Sequence, residues 1–149
     1  MFLLSSLRST LAWKLLIGFA LLVSLYFFVL ASKLFEVPSM SITHIVLFQF
    51  KSDVAADVVY GACQRMLALR DNCLHPSSQK PYIKASLGGK DNSPEGIQNG
   101  ITHAFVVEFA NAADRDYYVK HDPVHQDFIK SLDGIIEKAQ VIDFTDRAF

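Results

Sequence analysis

Charged side chains are scarce in the first forty residues of this 149-residue chain, and in the rest of the chain basic residues do not outnumber acidic ones. Residues 1–40 contain only four charged side chains, whereas residues 41–149 carry 11 basic and 14 acidic ones. Because binding to phosphate backbones needs a basic face, this balance argues against nucleic acid as a partner. The only two cysteines, Cys63 and Cys73, form no C-x-x-C motif, so we expect reduced structural thiols.

The chain is predicted to divide into a hydrophobic N-terminal segment, residues 1–39, and a globular domain, residues 40–149. Residues 15–31 carry no charge and are near the lower limit for a membrane-spanning helix. Three interpretations stay open: a signal anchor, a signal peptide cleaved after Ala31, or residues upstream of a true start at Met40. A start at Met40 predicts a cytoplasmic protein. If translation starts at Met1 instead, the N-terminal segment is expected to anchor the protein in a membrane. A membrane is therefore a partner only through residues 15–31, if they are retained.

The globular part alternates strand and helix patterns. Strands are predicted at residues 42–50, 82–87, 101–109 and 139–145, and helices at about 54–70, 112–120 and 123–132. Ser52 or Asp53 is the expected cap of the first helix, Asn111 of the second and Asp122 of the third. The glycine-rich residues 88–100 lack phosphate-loop spacing and are predicted to connect two strands. The order predicts an α+β, ferredoxin-like β-α-β-β-α-β fold: a four-stranded antiparallel sheet with helices on one face.

The two strands with the clearest pattern, residues 42–50 and 101–109, are largely apolar on both faces. Ile45 and Leu47 alternate with Val46 and Phe48, and helices cover only one face of such a sheet. The second face needs another cover, and a second copy of the sheet is the simplest one. We therefore predict a homodimer packed sheet to sheet.

Four segments resemble one known family. They are His44-Ile-Val-Leu-Phe-Gln-Phe-Lys51, Thr102-His103 before an apolar strand, Asp116-Tyr-Tyr-Val-Lys-His-Asp-Pro-Val-His125 and Val141-Ile-Asp-Phe-Thr145. Together, over residues 42–146, they resemble the stress-responsive dimeric α/β-barrel (Dabb) domain, with fungal-type members closest. The resemblance implies a ferredoxin-like dimer. The family includes heat-stable stress proteins and a plant polyketide cyclase, olivetolic acid cyclase.

Resemblance to that cyclase implies a site. It makes His125 the base and Tyr118 the group that hydrogen-bonds to the enolate oxygen. His44 and His103 match strand histidines that line the pocket, and His121 matches the first histidine of an H-P-x-H segment. This chain departs from the segment by inserting Asp122, which puts the orientation of His125 in question.

Histidine titrates near neutrality, so His125 suits removal of a proton next to a carbonyl, with a phenol on the enolate. His44 and His103 share the strand parity of Phe48 and Phe105, which places them on the helix-facing side of the sheet. This predicts one apolar cavity under the helices, in which His44 and His103 converge with Tyr118 and His125. No cofactor is expected. No metal is expected either, because Pro123 separates His121 from His125 and no third ligand is evident.

Two functions remain open. The first is a cofactor-free, polyketide cyclase-like enzyme, which requires a cavity that reaches Tyr118 and His125. The second is a non-catalytic stress-response A/B barrel homodimer, with side chains filling the space between sheet and helices, or one that binds a small apolar or aromatic ligand. The sequence slightly favours the second, since nothing in it names a substrate.

Overall fold

A computed structural model describes Lys14, residues 17–19, residues 21–28 and residues 40–149. The chain divides into two units, Met1–Pro38 and Ser39–Phe149. Residues 17–19 and 21–28 are helical. Among the described residues, none forms a helix of the length and apolarity that crossing a membrane requires. Of the predicted segment 15–31, residues 15, 16, 20 and 29–31 lie outside the described residues, and the three interpretations of the segment stay predictions.

The second unit has the predicted ferredoxin-like order. The strands are β1 (Ile42–Phe50), β2 (Ile83–Lys90), β3 (His103–Phe109) and β4 (Ile136–Thr145). The helices are α1 (Ala56–Asn72), α2 (Ala112–Lys120) and α3 (Pro123–Lys130). The four strands form one sheet in the order β2-β3-β1-β4, and every neighbouring pair is antiparallel. The predicted fold class is therefore confirmed.

Strand β1 shows why the sheet has one buried face. Its residues alternate strictly between buried and half-buried, as the two-residue period of a strand requires. The buried members pack under the helices, where α1 contributes Ala62, Met66 and Leu69 at helical spacing. The core is thus a single layer of side chains between the sheet and the helices.

The N-terminus of α1 differs from the prediction. The helix begins at Ala56 after Ala55, whose side chain makes no capping hydrogen bond, so neither Ser52 nor Asp53 is the cap. The next two caps are confirmed. The side chain of Asn111 accepts from the Asp114 backbone N–H, and that of Asp122 accepts from the first turn of α3.

The glycine pair after residue 87 was wrongly predicted to end the second strand. β2 continues to Lys90, with Gly88 paired to Phe105 and Gly89 to Ala104. A Cβ on Gly88 would clash with Cδ1 of Phe105 and lie 2.7 Å from the Ala104 carbonyl oxygen. Gly88 therefore marks a close approach within the sheet, the other common role of glycine in strands. The remaining predicted boundaries differ by smaller shifts: β3 begins at residue 103, β4 begins at residue 136 and α3 ends at residue 130.

We predict that Gly88→Ala destabilises the domain by about 1–3 kcal/mol, because the added methyl overpacks against Phe105 and backbone. The matched control is Gly61→Ala in α1, where the new Cβ meets only Arg65 at 3.5 Å. That control should gain up to about 1 kcal/mol from helix propensity. Urea unfolding of both variants measures the difference, and an unchanged Gly88→Ala midpoint would contradict the close approach.

Candidate functional site

A cavity of about 570 Å³ lies between the sheet and the helices. Its volume is within the usual range for small-molecule sites. Most of the lining is apolar and comes from all three helices and from strands β1 and β4. The apolar lining residues are Val46, Phe48, Met66, Val119, Phe128, Ile129, Leu132, Ala139 and Val141. The polar lining consists of two histidines, His44 and His125, and four charged residues, Arg115, Asp116, Lys120 and Asp143. The space between sheet and helices is therefore not filled by side chains.

His125 is held in one tautomer. Its Nδ1 lies 2.9 Å from the backbone carbonyl oxygen of Tyr118. Because a carbonyl oxygen only accepts, Nδ1 carries the proton and donates it, which leaves Nε2 as the basic nitrogen. The side chain is 9% exposed, and burial lowers the pKa of His125 to about 4. A neutral imidazole with one free lone pair therefore lines the cavity at neutral pH.

Tyr118 lies directly behind His125. The two rings stack with centroids 3.7 Å apart, and the ring of His44 meets Tyr118 edge-on at 5.8 Å. Tyr118 is fully buried and does not line the cavity, and its hydroxyl has no hydrogen-bond partner in the described part of the chain. Burial accordingly raises the pKa of Tyr118 above its usual range. In this structure Tyr118 thus meets the site only through the stacking of its ring on His125.

His44 belongs to an ion network that sequence reasoning missed. Its Nδ1 lies 2.6 Å from Oδ1 of Asp143, the residue opposite it on β4, and Arg115 contacts the other oxygen of Asp143. Arg115 also contacts Asp116, which pairs with Lys120. An aspartate inside a strand is unusual, and that was the available signal. Its partner, however, depends on the register between two strands 99 residues apart.

The remaining predicted site residues do not all meet in this cavity. His103 and Phe105 line a second cavity of about 540 Å³ between α1 and the ends of β2 and β3. Phe48 lines the first cavity, and its ring lies 5.7 Å from that of Phe105, so the pair stands between the two spaces. The expectation of one cavity lined by all these residues is therefore wrong. Burial lowers the pKa of His103, and nearby Lys90 adds to this effect.

His121 is exposed and caps the C-terminus of α2 through its backbone N–H, which donates to the Tyr117 carbonyl. It does not line the cavity. Within residues 40–149 and the other described positions, no three histidine, cysteine or acidic side chains form a potential metal site. The Asp122 insertion leaves His125 facing the cavity, because Asp122 and Pro123 restart the helix with His125 in its first turn.

A larger hollow lies on the opposite side of the sheet. It measures about 1020 Å³ and runs between the outer sheet face and the loop after β2. His103 is its one histidine, and none of the residues of the His44–Asp143 network lines it. Of these two spaces, the cavity under the helices is the one that His44, His125 and Asp143 line.

A model of the stress responsive A/B barrel domain family matches residues 42–146, most of the chain. The chain belongs to the stress-responsive A/B barrel domain family. The sequence is also similar to the stress-response A/B barrel domain-containing protein HS1 of Arabidopsis thaliana, with 29% identity over 103 residues. The match covers 69% of this chain and 87% of that protein.

Solved structures share the fold of this A/B barrel domain. A hydroxynitrile lyase from Passiflora edulis aligns with a TM-score of 0.63 and 23% identity, covering 75% of this chain and 98% of that one. A protein from Bacteroides fragilis, described as dimeric and ferredoxin-like, aligns with a TM-score of 0.51 and 24% identity. That match covers 70% of this chain and 95% of the other. At these identities the likeness establishes the fold.

We predict that Tyr118→Phe stabilises the A/B barrel domain by about 1 kcal/mol, because it removes a buried hydroxyl that lacks a partner and keeps the stacked ring. The matched control is Tyr82→Phe. The Tyr82 hydroxyl donates to Oδ2 of Asp122 at 2.7 Å, so its loss should cost about 1–3 kcal/mol. Chemical unfolding distinguishes the two, and destabilisation by Tyr118→Phe would show that its hydroxyl has a partner in solution.

Proposed function

We propose that this A/B barrel domain binds a small, neutral, apolar or aromatic carbonyl compound in the cavity lined by His44 and His125. The observation that supports the proposal is the cavity itself, about 570 Å³ of mainly apolar space with two imidazoles on its wall. A ligand of this class would place its rings or alkyl groups against the apolar lining and its oxygen near an imidazole. A purely structural dimer has no need of this space.

The charges around the cavity favour a neutral ligand. Its lining includes two cations, Arg115 and Lys120, and two carboxylates, Asp116 and Asp143. Both cations are already paired with these carboxylates. A ligand anion would have to compete with Asp116 and Asp143 for them, which would leave a carboxylate without its partner. An uncharged ligand leaves the network intact.

We predict that Val141→Phe weakens binding of a neutral aromatic ketone by at least tenfold, because the larger side chain enters the cavity from β4. Val141 is exposed, so the substitution should be tolerated by the fold. Val59→Phe, which enlarges a residue of the second cavity, is the matched control and should bind normally. Isothermal titration with acetophenone-type ketones measures both. Equal affinities for the two variants would place the ligand elsewhere.

The second candidate function is catalysis, with His125 as the base. The Tyr118 carbonyl fixes the proton on Nδ1 and so leaves Nε2 to remove a proton next to the ligand carbonyl. His44 lines the same cavity with its Nδ1 bound to Asp143, and only in its doubly protonated form does its Nε2 carry the proton needed to donate to the developing enolate oxygen. The proposed part of Tyr118 is to support His125 through ring stacking. The Passiflora edulis relative shows that this fold carries an enzyme in another protein.

We predict that His125→Ala slows exchange of the α-protons of an aromatic β-diketone for deuterium by about 10²–10⁴-fold, the usual contribution of a general base. His103→Ala, a histidine of the second cavity, is the control and should keep the rate. Since the pKa of His125 is about 4, the wild-type rate should be constant from pH 8 to about 5.5 and fall towards pH 4. NMR follows the exchange directly, and equal rates in wild type and His125→Ala would contradict catalysis by this residue.

We also propose that the domain is a homodimer packed through the outer sheet face. One apolar side chain from each strand forms a row across that face: Leu87, Val106, Ile45 and Ile142, which are successive pairing partners. Leu87 and Ile142 are 59% and 46% exposed. A continuous apolar row of this kind is typical of an interface rather than of a solvated surface. Solved relatives of this fold include a dimeric protein.

We predict that Ile142→Lys weakens the dimer more than tenfold, because it places a charge in the apolar row. Val58→Lys on α1 is matched to it, since Val58 is 43% exposed and Ile142 is 46% exposed. Sedimentation equilibrium over a range of concentrations should show dissociation of the first variant only. If neither variant changes the molecular mass, the interface lies on another surface.

A further inference from the structure

Asp122 is a carboxylate buried in the interior, 1% exposed. Its Oδ1 accepts hydrogen bonds from the backbone N–H groups of Val124, at 2.9 Å, and His125, at 3.2 Å. Its Oδ2 accepts from the Tyr82 hydroxyl at 2.7 Å. These three donors, with the Cys73 thiol beside them, compensate a charge that would otherwise be costly to bury, and no cation among the described residues takes part.

This carboxylate determines where α3 begins. The backbone N–H of Asp122 donates to the Tyr117 carbonyl at the end of α2, while its side chain caps α3. His125 is thus held twice. Asp122 binds its backbone N–H, and the carbonyl of Tyr118 accepts from Nδ1 of its ring. The position of the ring in the cavity depends on both bonds, because a shift of the first turn would move Nδ1 away from its acceptor.

Tyr82 extends this arrangement beyond the two helices. It precedes β2, does not line the cavity, and stacks on Phe109 with ring centroids 6.3 Å apart. Phe109 is fully buried in β3. The Tyr82 hydroxyl therefore fixes the Asp122 carboxylate to the sheet, and through it the start of α3. Burial and the adjacent Asp122 raise the pKa of Tyr82, which keeps this hydroxyl a donor.

We propose that Asp122 and Tyr82 are positioning residues for His125. Together they place the first turn of α3 so that the ring of His125 donates from Nδ1 and presents Nε2 to the cavity. This proposal rests on the proposed function in one respect, that His125 is the group that meets the ligand. It assigns a role to the residue by which this chain departs from the H-P-x-H segment.

The test compares three variants by their melting temperature and by the state of the His125 ring. Asp122→Ala removes all three acceptor bonds. Tyr82→Phe removes one and keeps the ring. The control is Asn111→Ala, which removes the side-chain cap at the N-terminus of α2, far along the chain from His125. We expect all three to lower the melting temperature. Only the first two should alter His125.

The readout is the pair of ring ¹⁵N chemical shifts of His125, recorded well below the melting temperature of each variant. Wild type and Asn111→Ala should show protonated Nδ1 and unprotonated Nε2. Asp122→Ala should show averaging of the two tautomers, and Tyr82→Phe a smaller change in the same direction. The affinity for the aromatic ketone should fall at least tenfold in Asp122→Ala and remain unchanged in Asn111→Ala.

Asp122→Asn is the conservative variant. Its amide oxygen still accepts from the α3 backbone, and its amide N–H can donate to the oxygen of Tyr82, so it should restore the wild-type ¹⁵N pattern. If Asp122→Ala does not fold, Tyr82→Phe and Asp122→Asn carry the comparison. Wild-type ¹⁵N shifts in Asp122→Ala or in Tyr82→Phe would overturn the proposal. The ¹⁵N measurement needs no ligand, so failure of ketone binding would count against the proposed function alone.

Discussion

Strand β1 pairs on both sides, with β3 and with β4, and the alternation of its side chains organises the whole domain. Residues of one parity, among them His44 and Phe48, point under the helices and reach the cavity. Residues of the other parity, among them Ile45, lie in the apolar row on the outer face. The proposed ligand site and the proposed interface therefore lie on the two faces of one central strand, separated by the thickness of a single sheet.

The polar groups of the site are arranged to keep their desolvation cost low. His125 is buried in its neutral form, His44 has Asp143 as its partner, and Asp122 is surrounded by donors. The exception is Tyr118, whose hydroxyl is buried without a partner among the described residues. Buried polar groups without partners are uncommon in folded proteins. The unpartnered Tyr118 hydroxyl therefore lowers the local stability beside the two histidines.

Much of this fold could be predicted from the sequence because local patterns determine it. The parity of His44 follows from the two-residue period of β1, and the helix restart follows from the Asp122-Pro123 pair. Parity does not give position along a strand, however. His103 pairs with Phe48, whereas His44 pairs with Val107. The separation of four residues between His103 and Val107 corresponds to about 13 Å, enough to place His103 in another cavity.

Contacts between distant residues account for the other errors. The His44–Asp143 bond requires the register of β1 on β4, which no local pattern contains. The close approach at Gly88 depends on the ring of Phe105 across the sheet. The glycine-rich composition of residues 88–100 does not contain that contact and indicates a loop. The role of Tyr82 could not be predicted from local patterns, because its hydroxyl donates a hydrogen bond to a residue 40 positions away. Each is a pairing of residues that only the folded chain brings together.

The irregularity in the β1–β4 pairing has a consequence for how this family member tolerates changes in length. Between Gln49 and Phe50 the register shifts, so that Lys138 and Ile136 are their partners and Glu137 has no opposite residue on β1. A bulge of this kind absorbs an extra residue locally. After it the pairing is regular to Thr145, and an insertion or deletion there would exchange the two faces of β4. Asp143 would then leave His44 for the outer surface, and the apolar row would gain a charge, so β4 is constrained in length as strictly as in composition.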